Sequence, residues 1–427
     1  MTTIVDLPSV VDALDEAGQL ARIKRTVSLK YELADVAASL ARTGTGAGLF
    51  NQVEGSPWPV FCGGVASHHR AAIALGCNEG EVVDVMERVL DPANGIPPIS
   101  VDSAAWEANT VRGNDLDTAL LPIPTHSRGD GGAFITGAVT VARDPVSGRG
   151  NLSYNRMLRL DGHTFGFNVN EWRDVGTFWK SRDDPDAPFP IALAIGLDPA
   201  IMIAAGVKTP VDELFIAGAI RGRGIEVRRG LTVDIDIPAA AEIVVEGLLH
   251  PAERRSEGPL AEFHGYHGEA WNSPTLEVTA ISWRDDPIYQ TIIPGWYEHV
   301  YLGNILPREP LLRRFVRHLD PTADVHIPAY GNGFLAVVQI ERDNPGTPKN
   351  LAMAAMAAHI NIRNVIGVDR DVDIHQPTEI QWALTNRVHW SDDVFTVPGA
   401  QGHEMDLSLI HISEPTRRYA ISYAGLC

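Results

Sequence analysis

Apolar positions follow helical spacing over residues 8–17, closed by Gly18, and again over 32–41, with short apolar runs after them at 48–50 and 60–62. A 3.6-residue period marks an amphipathic helix and compact apolar runs suit buried strands, so the chain opens in an α/β pattern. From about residue 121 the texture turns β-rich. Segments 135–142, 151–160, 191–197 and 231–237 are apolar or alternating and punctuated by Gly and Pro, which predicts a barrel or sandwich. After residue 285 the alternation of elements returns, with helix 310–318, strand 334–340, helix 351–359 and strand 365–368. Strand, helix and strand at that spacing predict a parallel βαβ unit.

At 427 residues the chain is long enough for two or three domains, each with its own core. The formal charge is −19. Basic residues cluster only at 221–229 and 308–317, which argues against nucleic acid as a partner. Cys62, Cys77 and Cys427 stand in no metal or redox spacing, which fits a reducing compartment. Met1-Thr2-Thr3-Ile4-Val5-Asp6 has no basic leader and no apolar core, and no stretch reaches transmembrane length. A cytoplasmic protein without a membrane partner is expected.

Candidate chemistry concentrates at Glu257-Gly258-Pro259-Leu260-Ala261-Glu262-Phe263-His264-Gly265-Tyr266. Two carboxylates flank a Gly-Pro bend, and a bend at a pocket mouth aims both inward. Upstream, Asn151-Leu152-Ser153-Tyr154-Asn155-Arg156 offers an Arg to pair with one of them. An Arg holds its partner ionised, while a second carboxyl in an apolar setting keeps its proton to higher pH. Taken alone, such a pair of acids reads first as a solvated surface turn.

The ordered set is not alone. Asn151 and Arg156, then Glu257-Gly258-Pro259 and Glu262, then His264-Gly265-Tyr266, resemble the UbiD family of decarboxylases, which use prenylated flavin mononucleotide (prenylated FMN). Other blocks agree: Leu121-Pro122-Ile123-Pro124, Gly129-Asp130-Gly131-Gly132-Ala133-Phe134-Ile135-Thr136, Ala142-Arg143-Asp144-Pro145, Ala241 to Gly247, and Val368 to Ile374 before Trp382-Ala383. The resemblance runs from the N-terminus to about residue 406. It implies an N-terminal α/β domain over 1–115, a central split β-barrel that binds prenylated FMN over 116–305, and a C-terminal α/β domain over 306–406.

Loss of carbon dioxide from an sp2 carbon needs an electron sink that no side chain offers, so a cofactor must supply it. By resemblance, Glu262 is the proton donor, and Arg156 with Glu257 forms the ion pair that orients acid and flavin. An acid of this kind needs a raised pKa, and Leu260 and Phe263 are suited to desolvate it. The resemblance places Thr136, Asn151, Ser153, Tyr154 and Arg156 near the flavin. It implies a divalent metal, Mn2+, at the flavin phosphate, together with K+, and a flavin prenyltransferase as cofactor supplier. Asn151 is one expected metal ligand. Asp174 falls where many relatives have His, and Leu231 falls where they have a ligating Glu, so this half of the site departs from the family.

Pro294-Gly295-Trp296-Tyr297-Glu298-His299 aligns with a family segment that lines the substrate pocket. Trp296 and Tyr297 suit stacking on a flat ring, and His299 suits a ring heteroatom or hydroxyl, which points to an aromatic or heteroaromatic acid. Trp296 and Tyr297 read equally as packing between domains. Residues 407–427 resemble the translation of a sequencing-library adapter, and the segment is expected to be foreign to the fold. The family's C-terminal helix, which helps form its homodimer, would then be absent. Two other functions share the expected scaffold: a flavin-dependent oxidoreductase and a catalytically idle flavin-binding subunit.

Overall fold

The computed structural model describes residues 3–341, 344, 346–400 and 402. The segment 407–427 lies outside the described residues. The chain separates into two compact units, Met1–Gly303 and Asn304–Cys427.

In the first unit the opening α/β pattern forms as the periodicity requires. Helices Leu7–Glu16 and Glu32–Thr43 bury their apolar faces. Asp6 caps the first with the help of Ser9, and Gly44 ends the second in the left-handed conformation. Strands Leu20–Ile23, Ala47–Phe50 and Val60–Cys62 form a sheet whose fourth member is Tyr289–Gln290, from far along the chain. Asn109–Arg112, in turn, pairs with Trp271–Trp283 of the central sheet. Both pairings cross the boundary expected from sequence at 115/116.

The central sheet has nine strands, dominated by the hairpin Ile243–Glu257 and Trp271–Trp283. Its path runs Phe134–Ile135, Met157–Arg159, Thr164–Phe167, Trp271–Trp283, Ile243–Glu257, Phe189–Ile195, Val139–Arg143, Gly150–Tyr154. The β-rich segments 135–142 and 151–160 are therefore each two strands, and the halves lie at opposite ends of the path. Only residues 136–138 join the first pair and only 155–156 join the second. Three peptide steps from Tyr154 to Met157 span at most about 11 Å, so the sheet must curl until its ends meet. The result is a split barrel, and Thr136, Asn155 and Arg156 sit at the split.

The segment 231–237 is not a strand over most of its length. Only Asp236–Pro238 is, paired with Glu226–Arg229. Before it, the amides of Leu231, Thr232 and Val233 and the Thr232 hydroxyl all donate to the buried Glu246 carboxylate. A buried charge with four donors outweighs the strand preference of an alternating apolar pattern.

The second unit has the predicted βαβ arrangement. Leu335–Ile340 and Asn364–Asp369 are parallel, and Thr347–Ala358 connects them. Asp324–His326, not foreseen from the sequence, adds an antiparallel edge. Val337, Val368, Val372, Ile374, Ile380 and Ala383 make a separate core. Among the described residues no helix is long and apolar enough to cross a membrane.

Candidate active site

Arg156 interrupts the chain between two strands, and this break frees its side chain to reach the end of the long hairpin. Glu257 is the last residue of its strand, paired with Trp271. Gly258-Pro259 follows with a cis peptide bond and ends the ladder. The Arg156 guanidinium grips Glu257 with both arms, Nε to Oε1 at 2.9 Å and Nη2 to Oε2 at 3.2 Å. Its Nη1 donates to Glu262 Oε1. Asn168 donates to Glu257 Oε2 at 2.8 Å, and its own amide binds the Arg156 carbonyl. The side chains of Arg156, Glu257 and Glu262 are 12%, 0% and 10% exposed. The trio expected from sequence is thus brought together. One difference appears: Arg156 holds both carboxyls, not Glu257 alone.

Burial dominates the electrostatics here. It pushes the Glu262 carboxyl up to about 7, against the Arg156 charge and with help from the charge on Glu257. Glu257 is also raised by burial, opposed by Arg156 and by the Asn168 hydrogen bond. A forked guanidinium and an amide on one carboxylate favour its ionised form. Glu262 has a single contact of this kind, so of the two it is the one that more readily holds a proton.

The glycine-rich segment 129–132 braces the acid loop. The Gly131 amide donates to the Pro259 carbonyl, and a Cβ at Gly131 would lie 2.2 Å from the Gly258 oxygen. Only glycine permits that approach. Asp130 accepts from the Ala261 amide and from Ser127, and His267 contacts both side chains. On the opposite wall, a Cβ at Gly295 would sit 3.0 Å from the Glu262 carbonyl oxygen.

Four of the expected flavin residues line the split. Thr136 shares its hydroxyl with Thr291 and His126. Asn151 and Ser153, two apart on the edge strand Gly150–Tyr154, share a face, and Ser153 donates to Asn155. Tyr154 falls on the other face. Its hydroxyl donates to the Met202 carbonyl on helix Pro199–Ala205, so its side chain serves as an anchor there.

The metal half of the expectation needs correcting. Beside Asn151 stands a carboxylate that the sequence reading missed, Glu213. It accepts from Asn151 Nδ2 at 3.1 Å and from the Leu152 amide at 2.7 Å, an outward N–H of the edge strand. Leu231, counted to this place from sequence, lies instead in the loop that holds Glu246. Glu213 opens helix Glu213–Arg221, and Asp212 caps it. Burial, reinforced by the charges of Asp212 and Asp174, pushes Glu213 up to about 8. Asn151 Oδ1 is buried with no hydrogen-bond donor. Asp174 is paired with Arg149 at 2.5 Å. Among the described residues no three His, Cys, Asp or Glu side chains are grouped to hold a metal by themselves. An orphan amide oxygen beside a carboxyl that lacks positive charge is a donor set that fits a hard cation whose remaining ligands come from elsewhere.

The three residues expected around substrate divide. His299 meets the acid loop, its ring edge-on to Phe263 with centroids 5.8 Å apart. Its Nδ1 accepts from the Gly295 amide. Burial and the charges of His264 and Arg156 push it down to about 4, so at neutral pH it is neutral with its proton on Nε2. Trp296 packs against the main core and under the Arg42 guanidinium, 5.5 Å from its ring centroid. Trp296 and Tyr297 both line a small, mostly apolar cavity with Ala37, Leu40 and Ala41 of helix Glu32–Thr43. Both residues therefore pack against the layer that contains helix Glu32–Thr43.

Comparison with known proteins agrees with this architecture. The chain matches, in order, the N-terminal domain of 3-octaprenyl-4-hydroxybenzoate carboxy-lyase over residues 11–89, its Rift-related domain over 99–297 and its C-terminal domain over 300–421. It is 31% identical over 398 residues to the anhydromevalonate phosphate decarboxylase of Methanothermobacter thermautotrophicus, covering 92% of this chain and 91% of that one. An evolved dimeric form of the UbiD-class enzyme HmfF from Pelotomaculum thermopropionicum, solved with prenylated FMN, superposes with a TM-score of 0.86 at 33% identity, covering 92% of both chains. The apo 3,4-dihydroxybenzoic acid decarboxylase of Enterobacter cloacae gives a TM-score of 0.89 at 30% identity, covering 95% of this chain and 90% of that one. With three domains matched in sequence and fold, and an Arg and two carboxyls joined at the split of the barrel, the chain belongs to the UbiD family of carboxy-lyases.

Proposed function

We propose that this protein catalyses the reversible, non-oxidative decarboxylation of an aromatic or heteroaromatic carboxylic acid with prenylated FMN. The observation that carries the reading is the convergence of Arg156, Glu257 and Glu262 in a buried site where Glu262 titrates at about 7. When bound, the prenylated flavin supplies the electron sink for the departing carboxylate's electron pair. Glu262 holds the proton that the vacated carbon must receive, and by microscopic reversibility its carboxylate takes that proton back in carboxylation. Arg156 fixes the geometry of the acid and keeps Glu257 ionised, so that the site carries one mobile proton and not two. Thr136, Ser153 and the Tyr154 main chain bound the flavin side. Asn151 and Glu213, with Asp174 beside them, would hold Mn2+ at the flavin phosphate, with K+ accompanying it. The neutral His299 offers its Nε2–H to a ring heteroatom or hydroxyl of the substrate.

Support comes from relatives named as decarboxylases and from the prenylated FMN in the HmfF structure. A homodimer or higher homo-oligomer is the expected assembly, and a flavin prenyltransferase the expected cofactor source. The anhydromevalonate phosphate relative favours a second reading, in which the substrate is a phosphorylated non-aromatic acid. To decide, the protein is produced together with a flavin prenyltransferase. Carbon dioxide release is then measured from benzoate, 3,4-dihydroxybenzoate, vanillate, furan- and pyrrole-2-carboxylate, and anhydromevalonate phosphate. Release from a ring acid supports the first reading, and release from the phosphate alone supports the second. Bound modified flavin with no release from any of them would favour an idle subunit, and nicotinamide oxidation without release an oxidoreductase.

A further inference from the structure

We propose that Glu298 is a positioning residue that sets substrate affinity through its neighbour His299, an inference that rests on the decarboxylase reading. Helix Tyr297–Val300 is a single turn, followed by the π turn Tyr301–Ile305 that leads toward the second unit. One turn has no stability of its own, because nucleation is unfavourable and propagation never begins. Its setting must come from outside.

Glu298 is 3% exposed and is fixed by the opposite side of the first unit. Its carboxylate accepts from the Gly63 amide at 2.7 Å and the Val65 amide at 3.1 Å, in the loop after strand Val60–Cys62. Successive amides aimed at one carboxylate form an anion nest. Arg70, on helix His68–Leu75, adds its charge, and its buried Nε makes no hydrogen bond. Tyr154 and Cys62 also feel the charge of Glu298, and Tyr301 faces Arg70. No part of this nest belongs to the Arg156 site. The residue after Glu298 does.

Adjacent residues on a helical turn point about 100° apart, so locking one direction fixes the other. With Glu298 seated in the 63–65 nest, His299 is turned onto Phe263 of the acid loop, and its Nδ1 is tied to Gly295, which backs the Glu262 carbonyl. The nest thereby orients a neutral donor beside the acid loop without touching the reacting atoms. The Arg42 contact on Trp296 steadies the start of the same turn.

The test uses Glu298→Ala, Glu298→Gln, His299→Ala and the double variant Glu298→Ala/His299→Ala in the flavin-loaded enzyme, with the ring acid that the wild type decarboxylates. Glu298→Ala should raise KM roughly ten- to hundredfold with a smaller fall in kcat, since misorienting a binding group acts chiefly on binding. Glu298→Gln keeps one acceptor and should recover part of the loss. The double variant should be no worse than His299→Ala, because the two act as a unit. A second measurement needs no turnover. The His299 imidazole, followed by NMR in protein without substrate, should stay neutral down to about pH 4 in the wild type and titrate at higher pH in Glu298→Ala, where the released ring regains water. Additive losses in the double variant, or an unchanged His299 titration in both Glu298 variants, would overturn the proposal. A wild type that releases no carbon dioxide, with the His299 shift still present, would refute the decarboxylase reading and leave the positioning role standing.

Discussion

At the scale of single residues, the chemistry turns on which carboxyl keeps a proton. Glu262→Gln removes the proton with little change of volume, and should lower carbon dioxide release by about 10²–10⁴-fold while modified flavin stays bound, as read from its absorbance. Arg156→Ala leaves Glu257 buried and unpaired, so it should cost about 3–5 kcal/mol of stability and reduce flavin content as well as rate, measured by denaturant unfolding and flavin retention. Glu262 and Glu213 hold protons more tightly folded, at about 7 and about 8, than at the ordinary 4.5 of the unfolded chain. The stability they contribute is full below about 4.5 and is lost as pH rises through 7 to 8, the sign opposite to that of a salt-bridged carboxylate. Without added metal, the melting temperature should fall across that window, and Glu213→Gln should flatten the fall and remove any rise on adding Mn2+. A steeper fall in the variant would contradict the burial argument. The buried trio Arg156, Glu257 and Glu262 was legible in the sequence as a group because Glu257 and Glu262 are local to one loop and their Arg lies in a recognisable run. Glu213 was not, since Asp212-Glu213 looks like any acidic helix start and its partners Asn151 and Leu152 lie 62 and 61 residues away.

At the scale of elements, breaks in the strands matter more than the strands. The periodic segments 135–142 and 151–160 announce β-structure, yet the residues that interrupt them, Thr136 and Asn155-Arg156, form the split. Apolar alternation cannot show such a break, because an interrupting polar residue also fits a solvent-facing strand position. The loop 231–235 misled in the opposite direction, its alternation being overridden by the buried Glu246. The helices of the opening pattern and the βαβ unit were legible for a plain reason, as their apolar faces follow local periodicity and local caps. Gly131→Ala tests the brace under the acid loop. Its Cβ would meet the Gly258 backbone, which cannot rotate away, so the loop must shift. Misplacement on the order of 1 Å costs up to about 10²-fold in rate. The expected outcome is a large fall in kcat with flavin still bound, and unchanged kcat would show that the brace is not needed.

At the scale of the whole molecule, the curled sheet places residues from distant parts of the chain around one split. Arg156 lies 101 residues from Glu257 and 106 from Glu262. The N-terminal layer contributes the 63–65 nest, and the strand Tyr289–Gln290 ties the end of the barrel back into the first sheet. Closure of this kind is a property of strand order, which sequence periodicity does not encode, so the pattern predicted a barrel or sandwich and only the resemblance implied a split barrel. The central claim is that Glu262 moves a proton between its carboxyl and the carbon that carbon dioxide leaves. Exchange of that carbon's hydrogen in the product, incubated in D2O with flavin-loaded enzyme and followed by proton NMR, measures this step in isolation. The wild type should exchange it and Glu262→Gln, with flavin bound, should not, whereas equal exchange in both would contradict the account.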